Sequence, residues 1–257
     1  LAEKIGVNHS QAFKSLFLPN GSLPSKYIPF RNKKLASTLI RLSKRGVNEF
    51  YRGEIADELI LNLHSYQKDK RSVQTITAQD LANYRIKKRK PLCGKYRSWQ
   101  ICSMPPPSGG GIALLQALGI YEKLSKKGPS EETPSHWHLL AESLRFADAD
   151  RSHWIGDPID LPVPLKGLLE EDYIKARANA VQFEKTTLRP LPGTPKGSEF
   201  LDLASQPRTA GGGTTHLVVV DYDGNVASYT GSVETVFGSR YMSGGMVLNN
   251  QLTDFSF

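Results

Sequence analysis

Cysteine is scarce in this chain: Cys93 and Cys102 are the two in 257 residues. That excludes a disulfide-dense scaffold, and with no matching histidine pair nearby it argues against a cysteine metal centre. No run of 18 apolar residues occurs, so no helical membrane span is expected. The glycines at 109–111 lack both a Walker-type Lys-Ser/Thr ending and dinucleotide spacing, which removes the phosphate-cradling reading of that run. No internal repeat is visible, and no nucleic-acid motif accompanies the basic residues. A starting methionine and a signal peptide are also missing. The opening Leu1-Ala2-Glu3-Lys4 reads like the inside of a helix. The expectation is therefore a piece of a longer chain, whose localisation cannot be read from its start.

What is present suits one sizeable core: 39% hydrophobic and 23% charged residues over a length that favours one structural domain. The net charge is +8. Basic residues cluster at Lys33-Lys34, 85–90 and 123–127, but acidic residues are scattered among them. A basic solvated surface accounts for this, and no nucleic-acid partner is expected.

Periodicity places helices at 1–18, 35–44, 54–64, 112–124, 136–153 and 168–182. Ile55, Leu59 and Leu63 share one face of the third. Trp137, Leu140, Leu144 and Ala147 share one face of the fifth. Thr77 with Asp80 reads as a capping box for a short helix. Residues 91–104 read as a hairpin turning near Arg97-Ser98, with a two-residue loop setting Cys93 opposite Cys102. A cross-strand disulfide and two buried free thiols are both compatible with that geometry. Asp148, Asp150, His153 and Asp157 are read as capping and surface-pairing residues rather than metal ligands. Residues 186–213 are rich in Pro, Gly, Thr and Ser and are expected to be mobile.

The most informative stretch is 211–257, where a glycine run meets Thr214 and Thr215 ahead of an apolar strand. Thr is a poor nucleophile inside a chain. As the first residue of a chain it is a good one, because its α-amine, titrating near ~8, then serves as the general base. Gly213 directly before Thr214 leaves an accessible bond to cleave. The plain alternative is that Thr214 merely starts a strand after a linker.

Separated segments decide between these. FYRGEIADELI at 50–60, ITAQDLANYRIKKRKPLCGKYR at 76–97 and MPPPSGGGIALLQALGIYE at 104–122 resemble motifs of the γ-glutamyltranspeptidases. So do HLLAESLRFADADRSHWIGDP at 138–158, TTHLVVVDYDGN at 214–225 and LNNQLTDF at 248–255. They follow the family's order over nearly the whole chain. The resemblance implies an α+β fold, the four-layer α-β-β-α sandwich of the N-terminal-nucleophile hydrolases, incomplete here. It aligns 1–213 with the C-terminal part of the large subunit and 214–257 with the start of the small one. The family's N-terminal portion, with an arginine for the substrate carboxylate, is expected outside this sequence. So is its later small-subunit region with the oxyanion donors.

The chemistry implied is γ-glutamyl transfer or hydrolysis after autocleavage at Gly213–Thr214. Glutathione or another γ-glutamyl compound is the donor; amino acids, peptides or water are the acceptors. Thr214 is the implied nucleophile, and Ser232 aligns with a Thr that bonds it. Gln251 and Asp254 align with the pair holding the substrate's amino group. Glu234 stands where well-known members carry Asn. No cofactor or metal is implied. A large/small subunit heterodimer is, and so is a periplasmic or extracellular setting. Glu234 and the short 239–245 loop keep a cephalosporin or glutaryl acylase in play, and a catalytically incompetent scaffold is a further alternative. His216 is read as a buried hydrogen-bonded histidine. Leu217 to Val220 reads as a strand covered on both faces. The 214–221/226–234 hairpin has a parity test: only an odd loop, or a bulge, puts Ser232 and Glu234 on the face of Thr214.

Overall fold

The computed structural model describes residues 10–22, 24–66, 76–125, 133–159, 161–199, 201 and 213–254, with backbone alone for Asn20, Thr253 and Asp254. The chain runs through α1 (Gln11–Phe17), α2 (Lys33–Arg45), α3 (Asn48–Arg52), α4 (Glu54–Tyr66) and α5 (Ala78–Asn83). Strands β1 (Leu92–Tyr96) and β2 (Trp99–Ser103) follow, then α6 (Gly110–Ser125), α7 (Pro134–Trp154), α8 (Leu165–Leu169) and α9 (Glu171–Asn179). It ends in β3 (Thr214–Val220), β4 (Val226–Ser232), β5 (Met242–Ser243) and β6 (Met246–Val247). Each consecutive strand pair forms its own two-stranded antiparallel sheet. Two compact units result, residues 1–86 with 209–257 and residues 87–208, where length alone favours one structural domain. The Gly213/Thr214 junction lies inside the first unit.

Local signals explain most element ends in the first unit. Asn32 caps α2 by accepting from Leu35 N–H, and Gly46 ends it. Thr77 and Asp80 form the capping box reciprocally: Asp80 N–H donates to Thr77 Oγ1 (3.2 Å), and Thr77 N–H to Asp80 Oδ2 (2.8 Å). On α4, Ile55 and Leu59 are buried and Leu63 half-buried, as its spacing predicts. The Gly244-Gly245 turn between β5 and β6 is gripped by α2: Thr38 Oγ1 donates to Gly244 O (2.7 Å) and Asn32 Nδ2 to Gly245 O (2.8 Å).

In the second unit α6 is the central helix. Ile112 and Ile120 are fully buried among residues of α7, α8 and α9. A Cβ on Gly111 would sit 2.2 Å from the Met104 carbonyl oxygen, so the glycine run serves close backbone packing. The β1–β2 hairpin pairs Tyr96 with Trp99 across Arg97-Ser98, and Cys93 opposite Cys102 forms a disulfide with Cα atoms 4.1 Å apart. Of the two alternatives the structure has the disulfide, with no free cysteine.

Three expectations change here. The buried stripe of α7 is Leu139, Glu142, Ser143, Phe146, Ala147, Asp150 and Trp154, whereas Trp137 and Leu144 are exposed. Asp150 is a buried hub rather than a surface residue. It pairs with Arg177 (3.1 Å) and accepts from Gly193 N–H (2.8 Å), Tyr173 Oη (3.0 Å) and Gln116 Nε2 (3.1 Å). Burial pushes its carboxyl above the usual range, against the pull of Arg177 and the other donors. The helix expected at 168–182 is two, broken where Glu170 adopts extended backbone. Residues 186–199 carry neither helix nor strand, and 202–212 lie outside the described residues.

Candidate active site

Loop chemistry sets the hairpin that carries Thr214. Asp221 N–H donates to Asn225 O (3.0 Å), closing a three-residue loop at 222–224. Asp221 Oδ1 also accepts from Asp223 N–H and Asn225 N–H, and Asn225 Nδ2 donates to Asp221 Oδ2. These bonds, Asn225's side chain foremost, hold the Asp221 carboxyl below its usual range. Gly224 closes the turn at φ +82°, a left-handed conformation that glycine enters without a Cβ penalty. An odd loop results, and the ladder runs from Val220↔Val226 to Thr214↔Ser232.

The 221/225 pair is hydrogen-bonded, so alternation by two makes 215/231 hydrogen-bonded as well. Thr214/Ser232 is then a non-hydrogen-bonded pair, the kind whose side chains lie closer. Thr214 Oγ1 donates to Ser232 Oγ at 3.2 Å. Ser232 Oγ donates onward to the carbonyl oxygen of Gly213, the residue before Thr214, at 3.3 Å. The Glu234 N–H completes the serine's partners at 2.9 Å. One hydroxyl thus touches the Thr214 hydroxyl and the carbonyl of the Gly213–Thr214 peptide.

Glu234 departs from the parity expectation. β4 ends at Ser232, and Glu234 turns out of the ladder at φ +74°. Its carbonyl accepts from Gly213 N–H, one residue out of register, which is a bulge. Its carboxylate accepts from Asn250 Nδ2 and is half-buried. Glu234 therefore meets the Gly213–Thr214 segment through its backbone rather than as a side chain on the face of Thr214.

Gln251 and Asp254 begin and end a single 3-10 turn, with Gln251 N–H bonded to Asn249 Oδ1 (2.8 Å). The Asp254 side chain lies outside the described residues, so no contact of it with Thr214 is described. His216 is on the face of Thr214, hydrogen-bonded as expected to Thr230 Oγ1 (2.7 Å) and Ser228 Oγ (3.3 Å), but it is exposed rather than buried. The hairpin is also not covered on both faces: Val218, Val219 and Val220 are each more than half exposed. Among the described residues no cluster of three His, Cys, Asp or Glu side chains is placed to hold a metal.

Sequence reading missed Asn250, which holds the turn after Ser232. Its Oδ1 accepts from Thr235 N–H (3.1 Å) and Thr235 Oγ1 (2.9 Å), and its own N–H donates to Val233 O (3.3 Å). Nothing in Asn249-Asn250 announces this, because the contact spans 15 residues.

The γ-glutamyltranspeptidase family model matches residues 2–257. The chain is 37% identical over 251 residues to a glutathione hydrolase proenzyme of Bacillus subtilis, covering 95% of this chain and 42% of that protein. A Helicobacter pylori γ-glutamyltranspeptidase structure superposes with a TM-score of 0.67 at 32% identity, over 77% of this chain and 56% of that one. A cephalosporin acylase structure from Bacillus halodurans gives 0.78 at 25% identity, over 99% and 43%. The chain thus spans about two fifths of the length of the curated relatives it matches. Its helices and small antiparallel sheets are part of the α+β N-terminal-nucleophile hydrolase fold seen in those structures. With its motifs in order from end to end and the threonine hairpin formed, the chain belongs to the γ-glutamyltranspeptidase family.

Proposed function

We propose that the protein carrying these residues is a γ-glutamyltransferase and glutathione hydrolase that activates itself by cutting Gly213–Thr214. The observation that supports this most is the Ser232 hydroxyl, bridging Thr214 Oγ1 and the Gly213 carbonyl. In the first stage Thr214 Oγ attacks the Gly213 carbonyl carbon. Its proton passes to the Thr214 nitrogen, the C–N bond breaks, and an ester joins Gly213 to Thr214 Oγ. Ser232 donates to the oxygen on which charge develops, a contact that strengthens as the carbonyl becomes tetrahedral. Water then hydrolyses the ester, leaving a Gly213 carboxylate and a free Thr214 with its hydroxyl restored.

In the second stage the new α-amine takes the proton from Thr214 Oγ, which attacks the γ-carbonyl of glutathione or a related amide. The amine product leaves with that proton, and a γ-glutamyl ester remains on Thr214. Water or an acceptor amine, from an amino acid or peptide, then takes the acyl group. Gln251 and Asp254 are assigned to the substrate's ammonium group, and Glu234 to the same end of the site. Residues before Thr214 then belong to the large subunit, and those from Thr214 onward to the small subunit of a heterodimer.

Glu234 in place of the family's Asn favours one second reading, an acylase that removes glutaryl-type side chains from β-lactams. The ratio of kcat/KM for a γ-glutamyl anilide to that for a glutaryl amide, measured on the full-length protein, separates the two. A ratio well above one supports γ-glutamyl transfer. A ratio below one overturns it in favour of the acylase.

A further inference from the structure

Ser232 is the last residue of its strand, so the ladder alone does not fix what lies beyond it. The backbone there is unusual: Glu234 has φ +74°, a conformation costly for a residue with a Cβ. Such a residue persists where its surroundings over-determine it. Here Asn250 supplies several of the constraints. Asn250 Nδ2 donates to the Glu234 carboxylate, and its Oδ1 accepts from both Thr235 N–H and Thr235 Oγ1. Its N–H reaches Val233 O, so Asn250 binds three successive residues around the turn.

The turn in turn binds the site. Held left-handed, Glu234 aims its N–H at Ser232 Oγ and its carbonyl at Gly213 N–H. The first contact orients the hydroxyl that bonds Thr214, and the second fixes the peptide to be cut. We propose that Asn250 is a positioning residue for cleavage at Gly213–Thr214: through Glu234 it sets both the Ser232 hydroxyl and the register of Gly213. This rests on the reading of Thr214 as a self-cleaving nucleophile.

The test reverses the polarity of the Asn250–Glu234 contact. Asn250→Asp keeps an acceptor for Thr235 but sets a carboxylate against the Glu234 carboxylate. Adding Glu234→Gln restores a donor on the other side. The readout is the first-order rate of cleavage of the full-length protein, followed by intact mass below the melting temperature of every variant. This readout needs no added substrate. Losing a hydrogen bond to a charged group should slow Asn250→Asp by roughly tenfold or more, and the double variant should recover most of that loss. A merely structural Asn250 would lower the melting temperature and leave the rate unchanged, and that result overturns the proposal. So does an Asn250→Asp rate that Glu234→Gln fails to raise. Should Asn250→Asp not fold, Asn250→Ala is compared with Asn250→Ala/Glu234→Gly. Glycine enters the left-handed region freely, so the double variant should cleave faster, and equal rates would overturn the proposal. A wild-type protein that is never cut at Gly213–Thr214 instead removes the reading beneath it.

Discussion

Removing one hydroxyl, in Ser232→Ala, separates the ground state of the hairpin from the chemistry assigned to it. Ser232 Oγ makes three hydrogen bonds, with Thr214 Oγ1 (3.2 Å), Glu234 N–H (2.9 Å) and Gly213 O (3.3 Å). The residue is exposed, so water can replace the lost partners, and folding stability should change by no more than about 1 kcal/mol. The cleavage barrier is a different matter. The bond to Gly213 O is long in the resting peptide and shortens as that oxygen gains charge. Deleting a donor of this kind lowers rates by about 10²–10³. We therefore expect self-cleavage of Ser232→Ala to slow roughly a hundredfold while its unfolding midpoint stays near that of the wild type. Ser232→Thr keeps the hydroxyl and should cleave within a few-fold of wild type. The assay is a time course of intact mass on freshly purified precursor, with thermal unfolding run in parallel. A Ser232→Ala protein that cleaves at the wild-type rate would refute the role given to this hydroxyl.

Other consequences are independent of that rate. Arg177→Met leaves the fully buried Asp150 carboxylate without its charge partner, and should cost about 3–5 kcal/mol in a denaturant titration. Adding Asp150→Asn should restore part of the loss, and additive losses would argue against the pair. Asp254→Asn should raise KM for γ-glutamyl substrates by about tenfold with little change in stability, if the carboxylate holds an ammonium group. An unchanged KM removes that assignment. The Asp221 carboxyl titrates below its ordinary 3.8 in the folded hairpin. A depressed acid stabilises the fold above its unfolded value and loses that contribution as pH falls through the folded one. The protection factor of the Asn225 amide, its exchange rate relative to the unfolded chain at the same pH, should therefore hold near pH 5 and fall only below about pH 4.

The legible parts of this molecule are those governed by local rules. The capping box at Thr77-Asp80 and the disulfide-compatible hairpin turning at Arg97-Ser98 follow from short-range geometry, whereas the turn after Asp221 left an even loop and two odd ones open, and the structure selects 222–224. The left-handed glycine at 224 brought Thr214 opposite Ser232, so the central contact was readable as a parity condition. What escaped depended on distant partners. On α7, Glu142 and Asp150 are buried in preference to Trp137 and Leu144. Among their partners, Thr187 N–H for Glu142 and Gly193 N–H for Asp150 lie more than 40 residues away in a segment with no regular structure. Burial opposes the charge on Glu142, but hydrogen bonds from Thr187 and Arg145 outweigh it and hold its carboxyl low. A hydrophobic stripe cannot encode such pairs. Glu234 escaped for a related reason: nothing about a glutamate predicts φ +74° until Asn250 is seen closing on it. Leu217 to Val220 carries the composition of a covered strand, and its exposure is that of a chain spanning about two fifths of its relatives' length.

Sequencing the new N-terminus of the protein tests the central claim most directly. The account predicts a small fragment that begins Thr214-Thr215-His216, formed by the wild type and absent from Thr214→Ala, together with loss of γ-glutamyl release in that variant. A fragment that begins at Thr215 or elsewhere, or a Thr214→Ala protein still cut at the same bond, would contradict it.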